Sequence, residues 1–328
     1  LSLIALVLFV KRRDDYVIYA LISSCGTACN YVLNLCHARK YIAFNVDFKS
    51  LELKKHLKAL FVLAIAGFMG NIYSKVDVTM LGITTSDAVV GYYSNAHKLI
   101  LVAVSCCIAV TTVFMPRLSY YYKNDRLALN GLVHFGTKLL IFIVVPATAG
   151  LLLLASDVIV LFYGNAFAPA GKTLAIFAPM LLIRPIGDLL CYQLLISAGK
   201  EKNRIYTSLI ATVVNIFLNY FLIPKWQQNG AAVASVISEV IVNSLLLREV
   251  LKITKIKIEK GFILKTLFAA CVMTVGVLSV KHIFHDELII LILGVAGGAG
   301  LYFATSFALK NEVLLSSMLR IKSMISCR

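Results

Sequence analysis

The chain has 328 residues, of which 60% are hydrophobic and only 15% are charged, and its mean hydropathy is +0.86. A soluble domain carries about 45–50% apolar and about 25% charged residues, so this composition excludes an ordinary soluble protein. The net charge of +16 does not indicate nucleic acid, because the basic residues lie mainly in loops between apolar segments, where anionic membrane lipid is the expected partner.

Apolar segments recur along the chain at the length that a membrane-spanning helix needs, about 20 residues. They predict an all-α, polytopic transmembrane helix bundle with nine full spans and a partial span at residues 1–10. The full spans are predicted at 16–36, 59–83, 91–115, 135–163, 173–196, 205–223, 230–250, 263–284 and 288–309. Residues 1–10 are too short to cross and the first residue is not Met, so we expect an N-terminal truncation. A basic cluster follows this run instead of preceding it, which argues against a signal peptide.

Lysine and arginine are distributed unequally between alternate loops. One set of loops, together with the C-terminal tail, holds 21 of these residues, and the other set holds six. Short cytoplasmic loops are enriched in both residue types. The first set is therefore predicted to be cytoplasmic, and the C-terminus with it.

No motif for catalysis or metal binding is present. The eight cysteines lack metal-ligand spacing with a histidine, and the six histidines form no HExxH motif. No GxSxG motif or phosphate-binding glycine loop occurs. We therefore predict a transporter that is not an enzyme and has no resident cofactor. The glycines of the last span are interpreted as sites of close helix packing; they are Gly294, Gly297, Gly298 and Gly300.

Charged residues inside the predicted spans are the main functional signal. Each costs about 2.5–3.5 kcal/mol at the centre of a bilayer, so each must face protein or water. They comprise three cations and three carboxylates, namely Lys75, Lys98, Arg184, Asp77, Asp188 and Glu239. From their distances to the helix ends, Arg184 and Glu239 are predicted to lie near the bilayer midplane.

Two interpretations of these charges remain open. Three cations and three carboxylates can form interhelical ion pairs with no ligand, or they can line a hydrated cavity. Neutral polar residues on the same helices, which ion pairing would not require, favour the cavity; among them are Asn71, Tyr92, Asn95, Tyr192 and Gln193. Pro146 and Pro185 each remove a backbone hydrogen bond in mid-helix, which also favours a cavity, with a passive packing kink as the alternative.

Several motifs resemble a known family. Asn71-Ile-Tyr-Ser-Lys-Val-Asp77, Val90-Gly-Tyr-Tyr-Ser94 with Lys98, and Val113-Phe-Met-Pro-Arg-Leu-Ser119 resemble the seventh and eighth helices of bacterial polysaccharide flippases. Leu218-Asn-Tyr-Phe-Leu-Ile-Pro224, Asn229-Gly-Ala-Ala232 and Ser238-Glu239 are similar to the eleventh and twelfth. The family comprises Wzx-type O-antigen and capsule repeat-unit translocases of the multidrug/oligosaccharidyl-lipid/polysaccharide exporter superfamily.

The resemblance implies a layout of two six-helix lobes and two tail helices, with both termini in the cytoplasm. On that layout residues 1–36 are the end of the first lobe, comprising part of helix five and helix six. Residues 37–58 are a basic cytoplasmic linker, 59–250 the six-helix second lobe, 251–262 a second cytoplasmic linker, 263–309 two tail helices and 310–328 a cytoplasmic tail. Helices one to four and most of helix five are then absent.

The function implied is translocation of undecaprenyl-diphosphate-linked oligosaccharide repeat units across the bacterial inner membrane by alternating access. The implied partners are the lipid-linked oligosaccharide, membrane lipid, a polysaccharide polymerase and a chain-length regulator. The substrate-binding candidates are Arg184, Lys75, Lys98, Asn71, Asn95, Tyr92, Asn215 and Asn219. The candidates for coupling or charge pairing, with a proton or sodium ion as coupling ion, are Asp77, Asp188 and Glu239.

Two alternatives remain. A cation-coupled multidrug exporter of the same superfamily is disfavoured by the three cations in the spans, because such a site should attract organic cations. A non-transporting scaffold of a polysaccharide assembly machine is the other.

Overall fold

A computed structural model describes residues 2–11, 15–39, 57, 61, 75–200, 202–254, 258–284 and 286–315. Every regular element in these ranges is a helix, which confirms the predicted all-α class. Seven of the described helices are long and apolar enough to cross a membrane, namely Tyr16–Ala38, Asp87–Thr112, Arg126–Tyr163, Pro169–Ser197, Tyr206–Leu251, Lys260–Ile283 and Glu287–Ala308. The predicted span 59–83 lies largely outside the described residues.

The chain divides into two compact units, residues 1–63 and 64–328. In the first unit, α1 (Ser2–Phe9) corresponds to the predicted partial span and α2 (Tyr16–Ala38) to the first full span. The two helices contact each other. Apolar side chains of α2, such as Tyr16 and Leu33, are exposed within this unit, as expected of a helix in lipid.

The described part of the second unit begins with α3 (residues 75–84) and continues with α4 (Asp87–Thr112), α5 (Met115–Asn124) and α6 (Arg126–Tyr163). The carboxylate of Asp125 caps α6 by accepting hydrogen bonds from the backbone of Leu127 and Ala128, at 2.9 and 3.0 Å. Gly164, with a φ of 80°, ends this helix. Pro146 lies inside α6, and the helix continues past it from Arg126 to Tyr163.

The predicted span 173–196 consists of several helical pieces. After a 3₁₀ turn (Asn165–Phe167) come α7 (Pro169–Phe177), α8 (Pro179–Gly187), a π-helical turn (Asp188–Gln193) and α9 (Leu194–Ser197). Pro185 lies inside α8, directly before the π turn. A π turn inside a longer helix often marks a functional position, so the irregular backbone expected near Pro185 is present.

Helix α10 (Lys202–Leu251) contains a sharp break at Gln227, whose φ is 47° and ψ −128°. It therefore accommodates the two predicted spans 205–223 and 230–250. Gly230 is required by this geometry, because a Cβ at that position would lie 2.3 Å from the carbonyl oxygen of Leu222. The two halves of α10 can thus approach each other closely.

The core is built around α4, α6, α7 and α8. Large side chains that are fully buried there include Tyr93, Ile100 and Phe177. The tail helices α11 (Lys260–Ile283) and α12 (Glu287–Ala308) contact each other and α6.

The predicted packing role of the α12 glycines holds for two of the four. A Cβ at Gly298 would lie 3.0 Å from Val277, and one at Gly294 would lie 3.5 Å from Leu154, so these two permit close contact. A Cβ at Gly297 or Gly300 would meet nothing within 4 Å.

Candidate functional site

A buried carboxylate, Asp77 on α3, lies at the centre of a hydrogen-bond cluster. The hydroxyl of Tyr93 on α4 donates to its Oδ2 at 2.6 Å, and the amide of Asn219 on α10 donates to its Oδ1 at 2.6 Å. The hydroxyl of Ser235, beyond the break in α10, also donates to Oδ2. Asn219 also donates to Oδ1 of Asn215 at 3.0 Å. The cluster therefore joins α3, α4 and both halves of α10.

One oxygen of the Asp77 cluster, Oδ1 of Asn219, is buried and accepts no hydrogen bond in the part of the chain that the structure describes. A buried acceptor without a donor costs about 1–3 kcal/mol, and such a group requires an explanation such as an ion or a water. The cluster therefore offers an unsatisfied oxygen beside a carboxylate.

Arg184 and Glu239 form an ion pair, with 3.3 Å between Nε and Oε2. Their side chains are 28% and 12% exposed. The amide of Asn243 donates to Oε1 of Glu239 at 3.2 Å. Within the described residues, the two terminal guanidinium nitrogens of Arg184 have no recorded partner. A guanidinium has five N–H donors, so most of the donors of Arg184 remain available to a ligand.

A cavity of about 100 Å³ connects these groups. It is lined by Asp77, His97, Leu101, Met180, Arg184, Asn215, Ser235 and Glu239. The imidazole of His97 stacks on Tyr93, with 5.7 Å between ring centroids, and lies 5.4 Å from the ring of Phe177. The cavity therefore contains one cation, Arg184, and two carboxylates, Asp77 and Glu239, next to the packed rings of Tyr93, His97 and Phe177.

Asp188 belongs to a separate polar cluster within the π turn. Its Oδ2 accepts hydrogen bonds from Thr111 on α4 at 2.8 Å and from Gln193 at 2.7 Å. Gln193 also donates to Thr111 at 2.8 Å. Asp188 therefore binds neutral donors, whereas Arg184, four residues earlier, pairs with Glu239.

The fold and these sites can be compared with known proteins. Residues 1–296 match the protein family described as lipid II flippase MurJ. The chain belongs to this family. The sequence-based prediction of a transporter and not an enzyme is thereby confirmed at the level of the family, as is a multi-pass membrane protein.

Two similar proteins from Haloferax volcanii are described as probable flippases. The probable low-salt glycan biosynthesis flippase Agl15 is 25% identical over 177 residues, covering 53% of this chain and 37% of the relative. The probable flippase AglR is 25% identical over 200 residues, covering 58% and 41%. The aligned parts are thus about two fifths of the length of these relatives.

A solved structure, lipid II flippase MurJ in an inward closed conformation, superposes with a TM-score of 0.77 at 20% identity. The superposition covers 95% of this chain and 66% of the other. At this identity the likeness concerns the fold alone.

The structure places the predicted site residues of this MurJ family member in different surroundings. Asp77, Arg184, Asn215 and Glu239 line the cavity, and Asn219 is next to it. Other candidates lie elsewhere. Lys75 and Lys98 are exposed. Tyr92 packs edge-on against Phe167 at 5.8 Å within the core, and Asn95 is half-buried away from the cavity lining. Asn71 lies outside the described residues.

Two features were not predicted. His97 lines the cavity, and the sequence feature that could have indicated this is its position four residues after Tyr93, on the same helix face.

Lys138 on α6 is only 9% exposed and donates to Glu312 at 2.6 Å and to Glu259. Glu312 follows the end of α12, and Glu259 precedes the start of α11. Lys138 therefore fixes one end of each tail helix to α6.

Proposed function

We propose that the chain is part of a flippase that moves a lipid-linked oligosaccharide across the cell membrane by alternating access. The observation that carries this proposal is the cavity at Arg184, where a cation within membrane-spanning helices presents unpartnered donors. The names of the family and of both archaeal relatives describe flippases, which supports the same class of cargo.

The chemistry of Arg184 suits the head group of such a cargo. A lipid-linked sugar presents phosphate oxygens that must pass about 30 Å of hydrocarbon. A planar guanidinium binds phosphate through two parallel hydrogen bonds, and Asn215 beside it offers an amide for hydroxyl groups. We therefore assign the phosphate contact to Arg184 and propose an undecaprenyl-diphosphate-linked repeat unit, carried by a Wzx-type protein, as the specific cargo.

The cavity volume supports a mechanism in which the helices move. About 100 Å³ holds a few water molecules at about 30 Å³ each and cannot hold an oligosaccharide. Loading therefore requires α3, α4, α8 and α10 to separate from one another or from other parts of the protein. The break at Gln227 and the π turn at Asp188–Gln193 are positions where these helices depart from regular geometry, and such positions absorb backbone rotation.

We assign the coupling ion to the Asp77 cluster. One carboxylate surrounded by neutral oxygen and hydroxyl groups balances a single positive charge, and oxygen ligands suit hard cations. Asn219 supplies an unpartnered buried oxygen. Within the described residues no group of three or more histidine, cysteine or acidic side chains gathers to bind a metal. A sodium ion or a proton at Asp77 therefore fits the donor set better than a divalent ion.

The two alternatives have weaker support. A multidrug exporter needs an anionic and aromatic cavity for organic cations, whereas Arg184 makes this cavity partly cationic. A scaffold would not require Arg184 to keep guanidinium donors that, within the described residues, have no partner beyond Glu239. We further propose a bacterial inner-membrane location with a cytoplasmic C-terminus, based on the lysine and arginine distribution, and contact with a polysaccharide polymerase and a chain-length regulator.

The test is the Arg184→Ala substitution in the intact protein. Transport of a lipid-linked oligosaccharide is measured in proteoliposomes, and the abundance of the protein in the membrane is measured separately. We expect transport per molecule of protein in the membrane to be lost. Arg248→Ala is the matched control, because Arg248 is exposed in the last turn of α10, away from the cavity. Normal transport by the Arg184→Ala variant would contradict the proposed phosphate contact.

A further inference from the structure

A second pocket lies where α4, α5 and α6 meet, and it shares no lining residue with the cavity at Arg184. Its volume of about 340 Å³ falls within the range of ligand pockets, about 300–1,000 Å³. The lining is largely apolar, with one cation, and comprises Val113, Phe114, Arg117, Tyr121, Ala128, Gly131, Leu132 and Phe135. A ligand with one apolar chain and one anionic group matches this lining.

Helix α5 is held rigidly beside the pocket. Leu118 is fully buried, and the hydroxyl groups of Ser119 and Ser197 lie 2.9 Å apart. On the other side of the helix, Tyr120 is 63% exposed, and the guanidinium of Arg126 lies 4.3 Å from the centre of the Tyr122 ring. Tyrosine is enriched where a membrane surface meets water. Helix α5 therefore has the composition of an interfacial helix.

The side chains around the pocket indicate that it opens towards lipid. Val113 is 72% exposed and Leu127 is 84% exposed. Large apolar side chains exposed this strongly, next to tyrosines and cations, are typical of helix ends that insert into the boundary between head groups and acyl chains. The pocket thus opens onto a surface that lipid is expected to cover.

The charge at the mouth of the pocket is positive. Residues 113–133 contain Arg117, Lys123 and Arg126 but only one acidic residue, Asp125. The carboxylate of Asp125 is occupied by the backbone amides that it caps. Arg117 has no acidic partner in the described part of the chain. An anionic group that approaches the pocket would therefore neutralise a cation that the protein itself leaves unpaired.

We propose that this pocket binds one anionic phospholipid, with the head-group phosphate at Arg117 and an acyl chain along Phe114, Leu132 and Phe135. Charge complementarity selects this ligand, because the single cation at the mouth matches one phosphodiester. The lining has too few polar groups for an oligosaccharide, since only Arg117 and Tyr121 can form hydrogen bonds through their side chains. This assignment does not depend on the proposed transport function.

The test measures lipid retention by native mass spectrometry of the intact protein. Dioleoyl phosphatidylglycerol is the anionic probe and dioleoyl phosphatidylcholine the zwitterionic one. Arg117→Gln should lower the affinity for phosphatidylglycerol about five-fold, the factor that corresponds to about 1 kcal/mol per basic residue at a membrane surface. Its affinity for phosphatidylcholine should fall less, because the choline ammonium already offsets the charge of that phosphate. Arg117→Lys should retain most of the preference for phosphatidylglycerol.

A pocket-filling variant tests the acyl-chain position. Gly131 lines the pocket, and a Cβ there would meet nothing within 4 Å, so Gly131→Leu should fold, occupy the space and reduce binding of both lipids. Gly300→Leu is the matched control, because Gly300 is also helical and open but lies on α12. Ala128→Leu serves as a second filling variant if Gly131→Leu fails to fold.

Three outcomes would overturn the assignment. The first is equal retention of phosphatidylglycerol by the wild type and the filling variants. The second is displacement of the lipid by glycerol phosphate without acyl chains, which would indicate an anion site only. The third is displacement by undecaprenyl phosphate at lower concentration than by phosphatidylglycerol, which would make the pocket a site for the cargo lipid. Loss of transport in the Arg184→Ala variant would leave each result unaffected.

Discussion

The ion pair between Arg184 and Glu239 is open to a double-mutant cycle that separates a ligand site from a structural pair. The substitutions are Arg184→Met and Glu239→Gln, alone and together, because Gln has the shape of Glu without its charge and Met replaces the aliphatic part of Arg with an unbranched, uncharged side chain. The pair has a single recorded contact at 3.3 Å, and its members are 28% and 12% exposed. Each single variant removes one charge of the pair and leaves the opposite charge partly buried.

The expected magnitudes follow from this geometry. At an effective dielectric constant of about 20, two charges 3.3 Å apart attract by about 5 kcal/mol, most of which is offset by desolvation. Breaking a fully buried pair costs about 3–5 kcal/mol. Because the side chain of Arg184 is 28% exposed, we expect each single variant to lower the free energy of unfolding by about 2–3 kcal/mol. The double variant should cost about 1 kcal/mol or less, since no charge is left unpaired.

The assay scores folding and transport separately. Folding is measured as the thermal unfolding midpoint of the purified protein and as its abundance in the membrane. Transport of a lipid-linked oligosaccharide is measured in proteoliposomes. If Arg184 binds phosphate, the double variant should regain stability but remain inactive. Recovery of both stability and transport in the double variant would reduce the two residues to a structural pair and would refute the assignment of Arg184 to the cargo.

Three further predictions follow from other contacts. Sodium should raise the unfolding midpoint of the wild type more than potassium does, and Asp77→Asn should abolish this difference; an unchanged difference would exclude Asp77 as the ion site. The hydrogen bond from Lys138 lowers the pKa of Glu259 below its ordinary value of 4.5, so the contribution of this carboxylate to stability should be complete above about pH 4.5 and lost as the pH falls through the lowered pKa; Glu259→Gln should remove that dependence. In a cysteine-free variant, an impermeant thiol reagent applied outside should label a cysteine at Asn165 but not one at Lys123; labelling of Lys123 would reverse the assigned orientation.

The helices were predictable because their signals are local. A run of apolar residues of bilayer length is sufficient to predict a span, and α4, α6, α11 and α12 lie close to their predicted positions. The separation of residues 202–251 into two helices at Gln227 agrees with the interval between two predicted spans. What the local signal cannot give is how tightly the chain turns there, because that depends on the close approach of Gly230 to Leu222.

The partners of the charged residues were less predictable. The carboxylate of Asp77 bonds to Asn219 and Ser235, which are 142 and 158 positions away, and no sequence spacing indicates such contacts. Spacing placed Asp188 on one face with Arg184, but the π turn that begins at Asp188 directs it to Thr111 and Gln193. The assignment of charges to spans was therefore accessible from sequence, whereas their pairing required the packed helices.

Asp77, Arg184 and Glu239 line one cavity, so binding at any of these residues would affect the others. Asp77 and Arg184 line the same small space, yet Arg184 pairs with Glu239 and Asp77 with neutral donors. If a phosphate replaces Glu239 as the partner of Arg184, a carboxylate that is only 12% exposed gives up its ion pair with that cation. The negative charge within the cavity then increases.

Balancing that added negative charge would favour a cation at Asp77, and by reciprocity a cation at Asp77 would favour binding of the cargo. The cavity thus provides a physical basis for coupling in which the charge of the cargo is balanced within the site. A cargo that lacks phosphate would leave the pair of Arg184 and Glu239 intact, and its binding should therefore not depend on a cation at Asp77.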